Sequence, residues 1–250
     1  MLRLENINFS YDEDTKALKD VTLNIEKGKK TLFLGENGSG KSTLFLIMNG
    51  LLQAQKGDIY FEGEKIKHKK KDLEDLRRKV GIIFQDPEIQ IFAPLVFQEV
   101  AYGPENLGYS KEKVETAVNK AMEEINITDL KDRPCHHLSY GQKKRVSIAA
   151  ITAMEPELLI LDEPTTWLDS KNTKRVAEIL DNLSKAGKTL LVSTHDTDFA
   201  YEFADYIYVL EKGRIVRQGS RDEVFEDFEF LKKLNLNIPN VLKIKSYLKY

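Results

Sequence analysis

The chain has a single cysteine, Cys135, among 250 residues. One thiol excludes an intramolecular disulfide and fits a reducing compartment. No apolar run approaches the roughly eighteen residues that a bilayer-spanning helix needs, so any link to a membrane is expected to pass through a partner. No leader is expected either, because Glu5 and Asn6 interrupt any basic–apolar–small pattern at once. Surplus positive charge is also missing: a formal net charge of −2 offers nucleic acid no global field. Internal repeats and low-complexity linkers are absent. What remains is a globular composition, 41% apolar and 31% charged. The length suits one large α/β domain or two small ones with ample core.

Against that background one stretch stands out, Gly35-Glu36-Asn37-Gly38-Ser39-Gly40-Lys41-Ser42-Thr43. It follows an apolar run, residues 31–34, that reads as a buried strand, and precedes residues 44–48, which read as the start of a helix. Strand, glycine loop with GxxxxGK[ST] spacing, then helix is the phosphate-binding loop. Its glycines let consecutive backbone N–H groups turn toward one point, and the helix N-terminus adds donors and positive partial charge. Lys41 is placed to reach terminal phosphates and Ser42 to offer its hydroxyl to Mg²⁺. The competing reading is an ordinary glycine turn capped by Ser42; the flanking strand and helix favour nucleotide binding.

Other strand ends carry polar residues. Residues 2–9 and 21–25 alternate apolar and polar as half-buried strands should, with Tyr11 between them. Tyr11 is either a base-stacking aromatic or a partly exposed strand-end tyrosine, and the local sequence favours the latter. Residues 80–84 form a central strand ending in Gln85, either a ligand contact or a plain strand terminus. Residues 86–97 are prolyl, irregular and apolar, which requires burial or a covering partner. Two helices are expected next, residues 96–102, ending at Gly103-Pro104, and 111–125, capped by Ser110. Ser139 caps a further helix start able to receive an anion. Residues 158–161 form a buried strand ending in Asp162-Glu163. Asp162 suits Mg²⁺ held through water, and Glu163 suits orienting or deprotonating an attacking water. His195 ends another buried strand, a phosphate sensor or acid–base partner beside those candidates. The basic run 65–71 has no interleaved aromatics and three acids follow it, so it reads as a solvated face. Cys135-His136-His137 lacks a second cluster to complete four ligands and is not read as a metal site.

Taken together, these residues resemble the ATP-binding subunit of an ATP-binding-cassette (ABC) transporter. The Walker A loop is residues 35–43, the Q-loop glutamine Gln85, and the signature 138–142, with Ser139, Gly141 and Gln142. The Walker B strand is 158–162 followed by Glu163, the D-loop lies near Leu168-Asp169, and His195 is the switch histidine. Tyr11 matches the family's adenine-stacking aromatic, which reverses the local preference. The resemblance runs from the first strand to about Gly219, with every motif in family order. Residues 85–94, 100–108 and 142–146 are similar in wording to the ATPases of energy-coupling-factor importers, including the cobalt and nickel branch. Two positions depart from the family: Tyr140 replaces the first of two signature glycines, and Trp167 stands where a small residue usually precedes Leu-Asp.

The resemblance implies an α/β fold, a RecA-like P-loop NTPase core with an antiparallel β subdomain and an inserted helical subdomain. The ABC nucleotide-binding domain would be 1–219, with a core lobe at 1–85 and 156–219 and a helical lobe at 86–155. It implies ATP and Mg²⁺ as cofactors, with Ser42, Gln85 and Asp162 toward the metal. A second ATPase subunit, identical or related, would complete each ATP site with its signature. Integral membrane subunits would dock near 87–97, placing the protein peripherally on the cytoplasmic side of the cell membrane, importing a cobalt or nickel ion or a vitamin. The rivals are an ATPase of another transporter branch and a soluble cassette ATPase acting on nucleic acid or ribosomes. Chromosome-type relatives need long heptad arms where only roughly a hundred ordinary residues lie, and ribosome-acting relatives generally carry two cassettes. Beyond the cassette, residues 220–250 suggest one or two short helices at a dimer interface. Lys243, Lys245 and Lys249 there could touch headgroups, although a solvated end is favoured.

Overall fold

The computed structural model describes residues 1–247. The chain begins with β1 (Leu2–Ser10), β2 (Lys16–Ile25), β3 (Lys30–Leu34), α1 (Lys41–Met48), β4 (Lys56–Phe61), β5 (Glu64–Lys65) and α2 (Lys70–Lys79). It continues through β6 (Val80–Ile83), α3 (Val96–Asn106), α4 (Lys111–Glu124), α5 (Tyr140–Thr152), β7 (Leu158–Leu161) and α6 (Ser170–Lys185). The remainder holds β8 (Thr189–Thr194), α7 (Thr197–Phe203), β9 (Tyr206–Glu211), β10 (Arg214–Ser220), α8 (Arg221–Phe225), α9 (Phe228–Lys233) and α10 (Asn240–Tyr247). Residues 1–76 and those from 189 onward form one compact unit, and residues 77–188 another. The lobes expected from the sequence cut the chain elsewhere, so β6, β7 and α6 stand here with the helices. Among the described residues, no helix is long and apolar enough to cross a membrane.

In the first unit, β3 lies between β8 and β9 and runs parallel to both. Leu32, Phe33 and Leu34 are fully buried, as a parallel strand covered on both faces requires. Phe33 stacks on Tyr208 at 5.2 Å and meets the edge of Phe45, on α1, at 5.4 Å. The same apolar run that defines the strand therefore also anchors the helix that leaves its loop. An antiparallel sheet is ordered β2-β1-β4-β5. In β1 the buried positions are Leu2, Leu4, Ile7 and Phe9, a pattern that slips phase once. Asn6 absorbs the slip with φ of 52°, the register shifts between Leu4 and Ile7, and its side chain donates to Asp20 at 2.9 Å. A bulge keeps both halves of the strand facing the core.

In the second unit, β6 and β7 pair in parallel and α3, α4 and α5 pack together. A Cβ on Gly81 would strike the Ile151 side chain, so glycine there lets α5 close on the strand. One expected boundary is corrected. Helix α3 does not end at Gly103-Pro104 but runs to Asn106 with Pro104 inside. Proline costs a helix the hydrogen bond its missing N–H would make. Here it falls in the last turn, where the amides of Leu107 and Gly108 still close on Gly103 and Glu105.

The C-terminal extension is more than a solvated end. Ser220 and Glu223 form a capping box that starts α8, and Val224, Phe225 and Leu231 are fully buried in the first unit. Tyr201 meets the edge of the Phe225 ring at 5.6 Å. Phe225→Ala is expected to cost about 3–5 kcal/mol, as other buried phenylalanines do, read as a lowered urea midpoint; an unchanged midpoint would make the extension dispensable. Further on, Val241 and Ile244 of α10 are exposed. Lys249 lies outside the described residues.

Candidate functional site

The phosphate loop sits in the first unit, between β3 and α1. Gly38 and Gly40 have φ of 80° and 109°, conformations that side chains rarely adopt. A Cβ on Gly40 would also lie 2.7 Å from the Ala17 carbonyl oxygen. Gly40 is the N-cap of α1, and no side chain caps that helix, which leaves its positive end to an anion. Lys41 is 5% exposed, and its ammonium donates to the carbonyls of Gly35 at 2.7 Å and Glu36 at 3.1 Å. The cation is thus folded into the loop. The Ser39 hydroxyl is buried with no hydrogen-bond partner, a cost that a phosphate oxygen would relieve. Ser42 is exposed one residue into the helix, and Glu36 and Asn37 are exposed at the loop tip.

Two further expected residues belong to this unit. Tyr11 is exposed, and its hydroxyl shares a 3.0 Å hydrogen bond with the Thr43 hydroxyl. Tyr11 is thereby tied to Thr43, the last residue of the loop, a link the sequence did not reveal. Leu34 and Thr194 are register partners across β3 and β8. His195, exposed just past Thr194, therefore lies at the same sheet end as Gly35. A cavity of about 360 Å³ adjoins residues 35–39 and is also lined by Lys233, Asn235 and Leu236 of the extension. Nothing in the sequence placed that segment beside the loop.

In the second unit, Ile83 and Leu161 are register partners, so Gln85 and the pair Asp162, Glu163 emerge at one end of β6 and β7. The Asp162 amide donates to Ile83 O at 2.9 Å. Asp162 and Glu163 are 7% and 5% exposed. Glu163 has φ of 44°, a left-handed backbone that a glutamate adopts only under constraint. The Thr166 hydroxyl donates to Glu163 Oε2 at 3.0 Å and fixes the carboxylate's orientation.

The signature segment begins α5. The Ser139 hydroxyl accepts from the Gln142 amide at 3.4 Å, and Gln142 Oε1 accepts from the Ser139 amide at 2.9 Å. Ser139 keeps its hydroxyl proton for another acceptor. Gly141 is buried, and a Cβ there would lie 2.7 Å from the Asn172 side chain, whose amide nitrogen donates to Asp169 Oδ2 at 2.8 Å while the Asn172 backbone amide donates to Asp169 Oδ1, also at 2.8 Å. The two family departures are neighbours, with the Tyr140 and Trp167 rings 5.9 Å apart, edge to face. Trp167 is 66% exposed and left-handed at φ of 63°. Burial, with Asp86 and Glu88 nearby, pushes the Tyr140 phenol up to about 12.

Sequence reading missed Lys144, which is fully buried. Its ammonium donates to the carbonyls of Phe84 and Gln85, and burial pulls its pKa down to about 8 against the pull of Asp162 and Asp86. Cys135 is also buried, its thiol pushed up to about 11 by burial and by Glu99. The irregular stretch after Gln85 is ordered from within. The buried Glu99 carboxylate accepts the amides of Phe92 at 3.0 Å and Ala93 at 2.8 Å. That arrangement leaves Ile89 and Phe92 outward, 72% and 63% exposed, with Phe92 against the edge of Tyr102 at 4.6 Å.

Comparison with known proteins follows the same lines. Residues 18–166 match the family model described as ABC transporter. The chain is similar to a putative ABC transporter ATP-binding protein of Methanosarcina mazei, 48% identical over 98% of this chain. It is also similar to an energy-coupling factor transporter ATP-binding protein, EcfA2, of Methanospirillum hungatei, 42% identical over all of this chain. It spans 54% and 63% of the lengths of those two relatives. Among solved structures, CbiO1 of Clostridium perfringens, described as part of the ABC transporter complex CbiONQ, is 39% identical with a TM-score of 0.85, covering 98% of each chain. A bacterial ABC transporter cassette solved as a dimer is 29% identical with a TM-score of 0.79, covering 88% of this chain and 99% of that one.

Proposed function

Because this chain belongs to the ABC transporter family, as an ATP-binding subunit of the energy-coupling-factor type, we propose that it hydrolyses ATP to power import of a small solute, a cobalt or nickel ion or a vitamin. Its fold is that of ABC nucleotide-binding domains, a RecA-like P-loop core with antiparallel and helical subdomains. The phosphate loop carries the functional reading: a caged Lys41 ammonium, an unpartnered Ser39 hydroxyl and an uncapped helix start all suit the phosphates of ATP.

In this mechanism Tyr11 stacks on the adenine while Gly35, Glu36, Asn37, Gly38, Ser39, Gly40, Lys41, Ser42 and Thr43 wrap the phosphates. Lys41 exchanges its two loop carbonyls for phosphate oxygens. Mg²⁺ bound with the nucleotide supplies charge neutralisation on the phosphoryl group. Ser42, Gln85 and Asp162 would hold it, an all-oxygen set of the kind that ion takes. Glu163 accepts the proton of the attacking water as general base. Gln85 and His195 sense the γ-phosphate and align that water. Ser139, Gly141 and Gln142 serve the ATP held by a second ATPase subunit, Ser139 through its remaining hydroxyl proton. Two ATPs close the pair, and hydrolysis lets it reopen.

The exposed Ile89 and Phe92 support docking of integral membrane subunits near residues 87–97, which holds the protein on the cytoplasmic face of the cell membrane. The test is transport by the chain reconstituted with its membrane subunits in proteoliposomes. Labelled solute is expected to accumulate only with ATP. Ile89→Asp combined with Phe92→Asp is expected to weaken binding to the membrane subunits by about thirtyfold, the loss that hot-spot truncation brings, and to abolish accumulation while ATP affinity by calorimetry is kept. Full accumulation by that double variant would remove docking from this face.

A further inference from the structure

We infer that Tyr140 and Lys144, one turn apart on α5, are positioning residues that hold Gln85, and the segment following it, in working geometry. This rests on the reading above in one respect, that the Gln85 side chain serves the bound ATP. Residues four apart on a helix share a face, and that face of α5 meets the end of β6. The Tyr140 hydroxyl donates to Gln85 O at 3.3 Å. The Lys144 ammonium donates to the same oxygen and to Phe84 O at 3.1 Å. Between them, Lys143 pairs with Glu88 at 2.6 Å, its side chain only 13% exposed.

The local chemistry explains why these ties matter. The last ladder bond of β6 goes from the Asp162 amide to Ile83 O. Beyond it the chain leaves its partner strand, and the next two carbonyls need donors from elsewhere. Lys144, fully buried, supplies both. A buried ammonium is tolerated only with such acceptors, so the lysine and the two carbonyls hold one another in place. Gln85 is thereby fixed to the helix that carries Ser139 and Gly141, and a displacement of either is passed to the other. The usual signature glycine at position 140 has no hydroxyl; tyrosine adds a second donor to the Gln85 carbonyl. Its ring packs against Trp167 at 5.9 Å, which accounts for both family departures as parts of one assembly.

The full chain tests this in a double-mutant cycle. Tyr140→Phe, which keeps the ring and removes only the O–H, is expected to lower kcat for ATP hydrolysis about fivefold. Lys144→Met is expected to lower it about thirtyfold, and Lys144→Arg, which keeps a donor, to recover part of that loss. KM for ATP should move less than about twofold, because the phosphate loop is untouched. In a Gln85→Ala background neither substitution should reduce kcat further, since no amide is left to place. Amide exchange across residues 84–90 should accelerate in both backgrounds while α6 keeps its protection. If Lys144→Met fails to fold, Tyr140→Phe carries the cycle alone. Equal kcat losses with and without the Gln85 amide overturn the inference and leave the ATPase reading intact. A Gln85→Ala variant with wild-type kcat overturns the inference at its premise. A wild-type chain that binds ATP without hydrolysing it overturns the reading itself.

Discussion

Lys41→Ala is expected to weaken ATP binding about a hundredfold, the scale of losing a charge-assisted contact to phosphate. The loss has two sources. The first is the ammonium itself, 5% exposed and poised at the loop centre. The second is the loop, because the Gly35 and Glu36 carbonyls that Lys41 now satisfies at 2.7 and 3.1 Å would lose their donor. A loop held open by its own lysine should lose preorganisation together with charge. Calorimetric titration with ATP measures the effect directly. Wild-type affinity in the variant would move the nucleotide away from residues 35–43.

Glu163→Gln is expected to act on the other half of the chemistry. It should lower kcat by about 10²–10⁴-fold, the range that a positioned general base contributes, while leaving ATP affinity intact. Glutamine keeps the size of the side chain and its capacity to accept from the Thr166 hydroxyl, now 3.0 Å from Glu163 Oε2. What it loses is the ability to take a proton from water. The left-handed backbone at Glu163, φ of 44°, shows how tightly the fold places this carboxylate past the end of β7. Single-turnover hydrolysis at saturating ATP is the measurement. Normal turnover would assign the proton transfer to another residue.

The parts of the molecule that were legible in the sequence are those encoded by local pattern. The apolar run of β3 and the glycine spacing of the phosphate loop specify a strand and an anion cradle without reference to distant residues. Ser110 and Ser139 cap the helices that follow them because a cap is decided within three residues. Helix α3 was misjudged at Gly103-Pro104 because local proline chemistry competes there with burial of Val96, Val100 and Pro104 along one helix, and packing won. The ties from Tyr140 and Lys144 to Gln85 span 55 and 59 residues, and a lysine in a basic run gives no sign that it is buried. Lys143 and Lys144 look alike in sequence, yet one reaches an exposed glutamate and the other two carbonyls. The same holds for the extension: Phe225 and Leu231 read as apolar, but only the assembled fold shows them filling the first unit.

Completion of each ATP site by a second subunit is the central claim, and the size of Glu163→Gln in solution tests it most directly. Light scattering with and without ATP, on the chain alone and mixed with its related ATPase where one exists, reads the state at once. Without nucleotide the chain should run near 28.7 kDa. With ATP it should shift to twice that mass, or to a one-to-one pair with the related subunit, and stay there because the bound ATP is not cleaved. A mass that remains that of a single chain in both mixtures, at ATP concentrations that saturate the phosphate loop, would contradict the account.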